Sequence, residues 1–257
     1  MATAVDITDT SRSGDGFFLW GGIAMAAVIV AGFTFFVVMG ISSFNAPLVV
    51  HAHALVFFGW VTIYVAQTWL ATRGSIALHR KLGWIGAGWL AMMAVVGPLV
   101  AIEAIRLGRA APVYEPAFFV VMAPMAVWTF VGLSTAAIVM RRQTEWHRRL
   151  HFSGMAILTG PGLGRLIPAP LVMPHASIIE VTLILMFPLA GVLWDLRTRG
   201  RVHPAWWWGI GTILLVRGLT NLIAYSPIGL AIFEAVTTGQ PGGALAPYEY
   251  PPMPSMG

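Results

Sequence analysis

Three histidines lie at the starts of two apolar segments of the chain. His79 precedes the third long apolar segment, and His147 and His151 begin the fifth. His147 and His151 are four residues apart, so on a helix they share one face. Histidine is the commonest metal ligand in proteins, and two imidazoles from facing helices at equal depth can hold a b-type haem. We therefore predict a cofactor site at His79, His147 and His151, with His79 and His147 as the metal ligands.

An interfacial role is the alternative for these histidines. Arg80 and Lys81 follow His79 directly, and residues of this kind at a membrane surface set topology and contact lipid phosphates. The face of the third segment that begins at His79 also carries small residues, which would let another helix or a flat macrocycle approach. These residues are Gly83, Gly86 and Gly97.

A second polar group lies towards the opposite ends of the apolar segments. Arg217 lies about 12 residues into its segment, which corresponds to a depth of about 18 Å in a helix. A charge at this depth needs a partner, and Glu103 and Glu180 are the available anions. We predict a pocket for an anionic or quinone-like ligand, the alternative being ion pairs that only fix helix packing. The predicted pocket comprises His53, Trp60, Gln67, Glu103, Arg165, Glu180 and Arg217.

Part of this pocket comes from one stripe along the second apolar segment. Steps of three and four residues from His53 lead to Phe57, Trp60, Tyr64 and Gln67. Residues at this spacing share one face of a helix. The polar and aromatic stripe is therefore predicted to face other helices.

The composition requires that these residues be positioned by membrane helices. The chain is 58% hydrophobic and 10% charged, whereas soluble domains carry about 25% charged residues. It has no cysteine, which excludes disulfides and thiolate metal sites. We predict an all-α transmembrane bundle of about seven spans. Six clear spans run over 17–40, 49–71, 82–105, 117–140, 177–193 and 205–224. A seventh span, which Gly and Pro residues interrupt, lies within 149–171 and should be internal.

The distribution of charge predicts the orientation of this bundle. Most of the 15 Lys and Arg residues fall on the side of the N-terminus, which the positive-inside rule makes cytoplasmic. Seven spans then place the C-terminus outside the bacterial cytoplasmic (inner) membrane. The predicted organisation is a polar tail (1–16), the transmembrane domain (17–225) and an external Gly/Pro-rich tail (226–257) that is flexible or bound to a partner. The cations lie in short loops, so no nucleic-acid partner is predicted.

Several of these motifs together resemble a widespread group of uncharacterised bacterial multi-pass proteins, collected under a domain of unknown function. The motifs are His51-Ala-His53, Trp60, Gln67, His79-Arg-Lys-Leu-Gly83, Trp146-His-Arg-Arg-Leu150, Arg165 and Arg201-Val-His-Pro204. The resemblance covers about residues 50–225 and implies a topology and a set of polar positions, but no activity. Methionine usually stands at the position of His151 in that group, which favours His147 as the ligand. A more distant similarity is to the four-helix b-type cytochromes.

Three functions compete at this point. The first is a haem- or metal-binding protein that exchanges electrons with quinone or with a partner subunit. The second is a non-catalytic subunit or assembly factor of a larger membrane complex. The third is a small solute or proton-linked transporter whose broken fifth helix lines a cavity.

Overall fold

The computed structural model describes residues 7–42, 44–109 and 111–252, without the side chains of residues 7–15. Over these residues the chain forms helices and no β-strands, which confirms the all-α class. The helices are α1 (Ile7–Val38), α2 (Leu48–Thr72), α3 (Ile76–Arg106), α4 (Pro116–Val139), α5 (Thr144–Ile157), α6 (Gly160–Leu166), α7 (Ala169–Val172), α8 (Ala176–Arg199), α9 (Pro204–Ala224) and α10 (Pro227–Thr237), followed by a 3-10 turn (Pro241–Ala244).

Six of these helices are long and apolar enough to cross a membrane: α1 from Gly16 onward, α2, α3, α4, α8 and α9. Lipid offers no hydrogen bonds to the backbone, so long apolar segments satisfy their own N–H and C=O groups as helices. The chain is thus a multi-pass membrane protein. The first helix begins earlier than expected, because α1 already includes residues 7–16 of the predicted polar tail. No proline in that run ends the helix, and residues 1–6 lie outside the described part of the chain.

The two ends of the bundle are identified by side chains that meet there. One end is called the N-side end. There Phe17, near the start of the apolar part of α1, stacks on Trp194, near the end of α8. The centroids of the two rings are 5.4 Å apart. At the other, called the C-side end, Arg217 of α9 lies near Glu180 at the start of α8 and over Phe118 at the start of α4. Helix α8 therefore begins beside the start of α4 and runs back to the N-side end.

The fifth predicted span is two consecutive helices, α5 and α6, separated at Leu158 and Thr159. Only its first half is internal as predicted, since α5 buries a continuous run from Phe152 to Ile157. In α6, Pro161, Gly164 and Leu166 are exposed. Helix α6 packs backbone to backbone on α1, because a Cβ atom added at Gly32 would collide with the backbone of Gly162. Glycine at both positions is what allows this approach.

The C-terminal segment, predicted as a flexible or partner-bound tail, packs on the bundle from α10 onward. Helix α10 packs on α3, α4 and α9, and Ser226 caps its start, accepting a hydrogen bond from the Ile228 N–H. Further along, the Pro247 carbonyl accepts a hydrogen bond of 2.9 Å from the Ala117 N–H. The Gly, Pro and Tyr content of the segment is what predicted a tail. The Ser-Pro start and the apolar spacing of 227–237 were the signals of a short packed helix.

Candidate functional site

The three predicted ligand histidines lie together at the N-side part of the bundle, where the starts of α3 and α5 meet. The ring centroids of His79 and His147 are 6.3 Å apart, and those of His147 and His151 are 5.1 Å apart. Helix α2 adds Trp60 and Tyr64, whose rings lie 6.2 and 6.5 Å from that of His151. We call these five residues, together with Gln67, the histidine cluster.

Backbone carbonyls orient two of the imidazoles. His79 Nδ1 lies 3.2 Å from the carbonyl oxygen of Gln67, and His147 Nδ1 lies 2.8 Å from that of Ala137. A carbonyl only accepts hydrogen bonds, so in both rings Nδ1 carries the proton. In the neutral tautomer Nε2 then keeps its lone pair, which is how metal-binding histidines are commonly oriented.

The inner part of the histidine cluster contains polar atoms without hydrogen-bond partners. His151 Nδ1, Trp60 Nε1 and Gln67 Oε1 are each buried and unpaired. Buried polar atoms in proteins are nearly always hydrogen-bonded to protein, water or a ligand. These atoms therefore form a polar surface inside the bundle that can accept water or a ligand group.

The glycines beside His79 are used for helix packing. A Cβ atom at Gly83 would approach the Gln67 side chain, and one at Gly86 would approach Ile63 and Trp60. This face of α3 was predicted to admit either another helix or a flat macrocycle. The structure favours the approach of another helix. A macrocycle held by His79 and His147 would need space outside this face.

The donor set also limits the kind of metal centre. Within the described residues, no group of three or more His, Cys, Asp or Glu side chains is placed to hold a metal ion. Structural zinc takes four protein ligands, and catalytic zinc takes three. Two imidazoles are fewer ligands than either kind of zinc site takes.

A second group of polar residues lies at the C-side end, and we call it the C-side cluster. It consists of His53, Tyr114, Arg165, Glu180 and Arg217. Arg217 donates a hydrogen bond of 2.6 Å to the Ser177 carbonyl, and its Nη1 lies 4.0 Å from Glu180 Oε2. The phenol of Tyr114 contacts the same carboxylate. Glu180 is therefore shared between a cation and a hydroxyl.

Arg165 occupies the other part of the C-side cluster. Its guanidinium donates to the Pro161 carbonyl at 2.8 Å and lies 4.1 Å over the Phe33 ring. Arg165 Nε is buried without a partner, as is His53 Nδ1. Both His53 and Tyr114 lie within electrostatic reach of Arg165.

The predicted pocket is therefore divided between two places. Trp60 and Gln67 belong to the histidine cluster, whereas the C-side cluster contains the predicted residues His53, Arg165, Glu180 and Arg217. Glu103 joins neither group: it is half-buried near the end of α3 and forms no ion pair among the residues that the structure describes. Tyr114 was missed, because it lies in a loop outside the predicted spans.

A buried ion-pair network at the N-side end was also missed. Asp195 and Arg149 are both fully buried and form a two-point contact, with Arg149 Nε 3.0 Å from Asp195 Oδ2 and Nη2 2.5 Å from Oδ1. The same carboxylate accepts hydrogen bonds from the His203 N–H and from Trp206 Nε1, each at 3.0 Å. The predicted span ended at Leu193, so Asp195 was placed in a loop, although an acidic residue one turn before Arg199 was a usable signal.

Glu145 extends this network towards the surface. Its carboxylate contacts Arg148, Arg149 and Arg199 at 2.5 to 2.6 Å. Burial alone would raise its pKa, but the hydrogen bond from Arg199 and the charges of Arg148 and Arg149 outweigh burial and lower the pKa to about 2. Glu145 is therefore ionised at neutral pH and joins α5 to α8.

Comparisons of the chain with family models, with curated proteins and with solved structures found no match. The resemblance to bacterial multi-pass proteins of unknown function stays a prediction.

Proposed function

We propose that this protein is a redox protein of the bacterial cytoplasmic membrane whose histidine cluster holds b-type haem, or another metal centre, through His79 and His147. Its role is to pass electrons to or from quinone or a partner subunit. The observation that carries the proposal is the pair of imidazoles 6.3 Å apart, each with Nδ1 on a backbone carbonyl. These two imidazoles, on helices whose starts meet, would hold the group through their Nε2 atoms.

The orientation in the membrane is part of the proposal. Helix α4 ends one short turn before α5 begins, whereas α8 begins beside the start of α4. This arrangement supports a seventh crossing, by the chain from α5 to α7. The positive-inside rule then makes the N-side end cytoplasmic and the C-side end external.

The haem, when bound, would supply the one-electron chemistry. The protein's own residues would have two tasks. The carbonyls of Gln67 and Ala137 keep the Nδ1 protons of His79 and His147 in place, so that both Nε2 atoms remain ligands. The buried rings of Trp60 and Tyr64 keep bulk water from His151.

The test is an absorption spectrum of the detergent-purified protein, oxidised and then reduced with dithionite. We expect a reduced b-type haem band in the wild-type protein, and its loss in His79→Ala and in His147→Ala. His175→Ala is the matched control, because His175 is exposed at the start of α8. A colourless protein free of haem and metal would overturn the proposal, as would a band that both ligand variants retain.

A second candidate function, that of a non-catalytic subunit, is favoured by one observation. An apolar cleft of about 640 Å³ lies between α4, α5 and α9, with Trp128, Trp146 and Trp208 among its lining residues. Gly132 also lines it, and a Cβ atom there would meet nothing within 4 Å. The cleft could take a partner's transmembrane helix. Gly132→Trp would then abolish copurification of that partner without changing any haem spectrum, whereas unchanged copurification would exclude this cleft as the contact.

A further inference from the structure

The charges of the C-side cluster do not balance. Within the five residues of this cluster, Arg165 and Arg217 are cations and Glu180 is the carboxylate. Glu180 is engaged by Arg217 and by Tyr114. One positive charge, that of Arg165, is therefore left over in a region where charge is expensive.

Arg165 lacks a carboxylate partner. Within the described residues it forms no ion pair, and its one protein hydrogen bond is to the Pro161 carbonyl. The rings of Phe33 and Phe36 lie 4.1 and 5.3 Å from the guanidinium carbon. Aromatic faces cover a guanidinium but do not use its in-plane N–H donors.

Two buried polar nitrogens near Arg165 have no partner. They are Arg165 Nε itself and Nδ1 of His53 on α2, and the charge of Arg165 acts on the His53 ring. The Phe33 ring, which lies 4.1 Å from the guanidinium of Arg165, packs on Phe58 of α2 with centroids 5.5 Å apart, and His53 is held by its ring contact with Phe57, at 4.1 Å between centroids. A positive charge with unpaired polar nitrogens near it can bind a negatively charged oxygen.

We propose that the C-side cluster binds an oxyanion through Arg165 and His53. The phosphate oxygen of a lipid headgroup and a free phosphate-like solute share this chemistry. Arg165 supplies the charge and the Nε–H donor, and His53 supplies a second hydrogen bond through Nδ1. Tyr114 and Arg217 hold Glu180, so that this carboxylate does not neutralise Arg165. The inference concerns different residues from the proposed haem ligands and does not depend on them.

The test uses the full-length protein in a neutral detergent. Its thermal unfolding is followed while sodium phosphate is added, with sodium chloride at matched ionic strength as the reference. We expect a saturable rise in Tm with phosphate and none with chloride, since a ligand that binds only the folded state stabilises it by mass action. A parallel measurement compares nanodiscs of phosphatidylglycerol with nanodiscs of phosphatidylcholine.

Arg165→Gln should raise the apparent Kd for phosphate at least tenfold or abolish the response. His53→Phe keeps an aromatic ring beside Phe57 but removes the donor, and should raise the Kd two- to tenfold, the range for one hydrogen bond. Arg106→Gln is the matched control, because Arg106 is exposed at the end of α3, and it should respond as the wild type does.

A response to free phosphate that requires Arg165 supports a solute-type site. A response only to phosphatidylglycerol nanodiscs, with the same dependence on Arg165, supports a lipid headgroup as the source. The proposal is overturned if neither probe stabilises the wild-type protein, if chloride acts as strongly as phosphate, or if Arg165→Gln and His53→Phe both respond like the wild type.

Discussion

Arg149 and Arg165 lie on consecutive helices, α5 and α6, yet their surroundings are opposite. Arg149 is fully buried, and its guanidinium is bound by the carboxylates of Asp195 and Glu145. Arg165 is half-buried, stacks on aromatic rings and keeps an unpaired Nε. A buried cation whose nitrogens all donate to carboxylates holds helices together, whereas one with an unpaired nitrogen is available to a ligand.

The largest expected effect is a difference in the free energy of unfolding between variants that disturb Arg149 and variants that remove Arg165. Asp195→Ala should lower the free energy of unfolding by about 3–5 kcal/mol, because it leaves Arg149 buried with reduced compensation. Arg165→Gln should change it by no more than about 1 kcal/mol without added anion, because it leaves no buried charge unpaired. Thermal or denaturant unfolding in detergent measures both.

A double variant tests whether the unpaired charge of Arg149 causes the loss of stability in Asp195→Ala. Arg149→Met combined with Asp195→Leu removes both charges, and should recover part of the loss caused by Asp195→Ala. Recovery stays partial, since the Trp206 indole N–H also loses its acceptor. Equal destabilisation by Asp195→Ala and Arg165→Gln would mean that the contrast between the two arginines does not exist.

A smaller effect is expected where α1 and α6 cross. Gly32→Ala forces its Cβ into the backbone of Gly162 and should cost about 1–3 kcal/mol, as overpacking does. The substitution also moves Phe33 relative to Arg165, so the phosphate response should weaken while the Arg149 network stays intact. Gly88→Ala is the control, because its Cβ would meet nothing within 4 Å and alanine favours a helix by up to about 1 kcal/mol. Similar stability of the two variants would contradict the close crossing.

The smallest expected effect is a pH dependence of the N-side network. The pKa of Glu145 falls from 4.5 to about 2 on folding. Its contribution to stability is thus fully present above pH 4.5 and is lost as the pH falls towards 2. Because 36% of this side chain is exposed, solvent screening reduces the contribution to about 1 kcal/mol.

Unfolding curves recorded from pH 6 down to about pH 2 check this prediction. Glu145→Gln should be less stable than the wild type at pH 6, and the difference should shrink with acidification. A constant difference over the whole range would show that the ionised carboxylate contributes nothing. Added phosphate is left out of these curves, so that the C-side cluster does not contribute.

The membrane class and the six long helices followed from the sequence, with most ends correct to within a few residues. A run of about 20 apolar residues has one stable conformation in lipid, because only a helix pairs its backbone groups internally. The stripe of α2 was predictable for the same reason, since helical periodicity fixes which residues share a face. Trp60 and Tyr64 are indeed among the most buried residues of that helix.

What the sequence could not decide was which polar residues meet. Arg149 and Asp195 are separated by 46 positions, and of the two anions predicted as partners of Arg217, it is Glu180 and not Glu103 that lies beside it. Such pairs depend on the rotation and depth of each helix in the bundle. The spacing of residues along the sequence does not specify either quantity. The Gly and Pro residues of the fifth segment indicated its interruption, but the packing of α6 on α1 at Gly32 and Gly162 depends on tertiary contacts. The position of α10 against α3, α4 and α9 depends on them too. The sequence by itself thus determined where the helices lie and which charges they carry, and only the tertiary structure decided which charge is neutralised and which is left for a ligand.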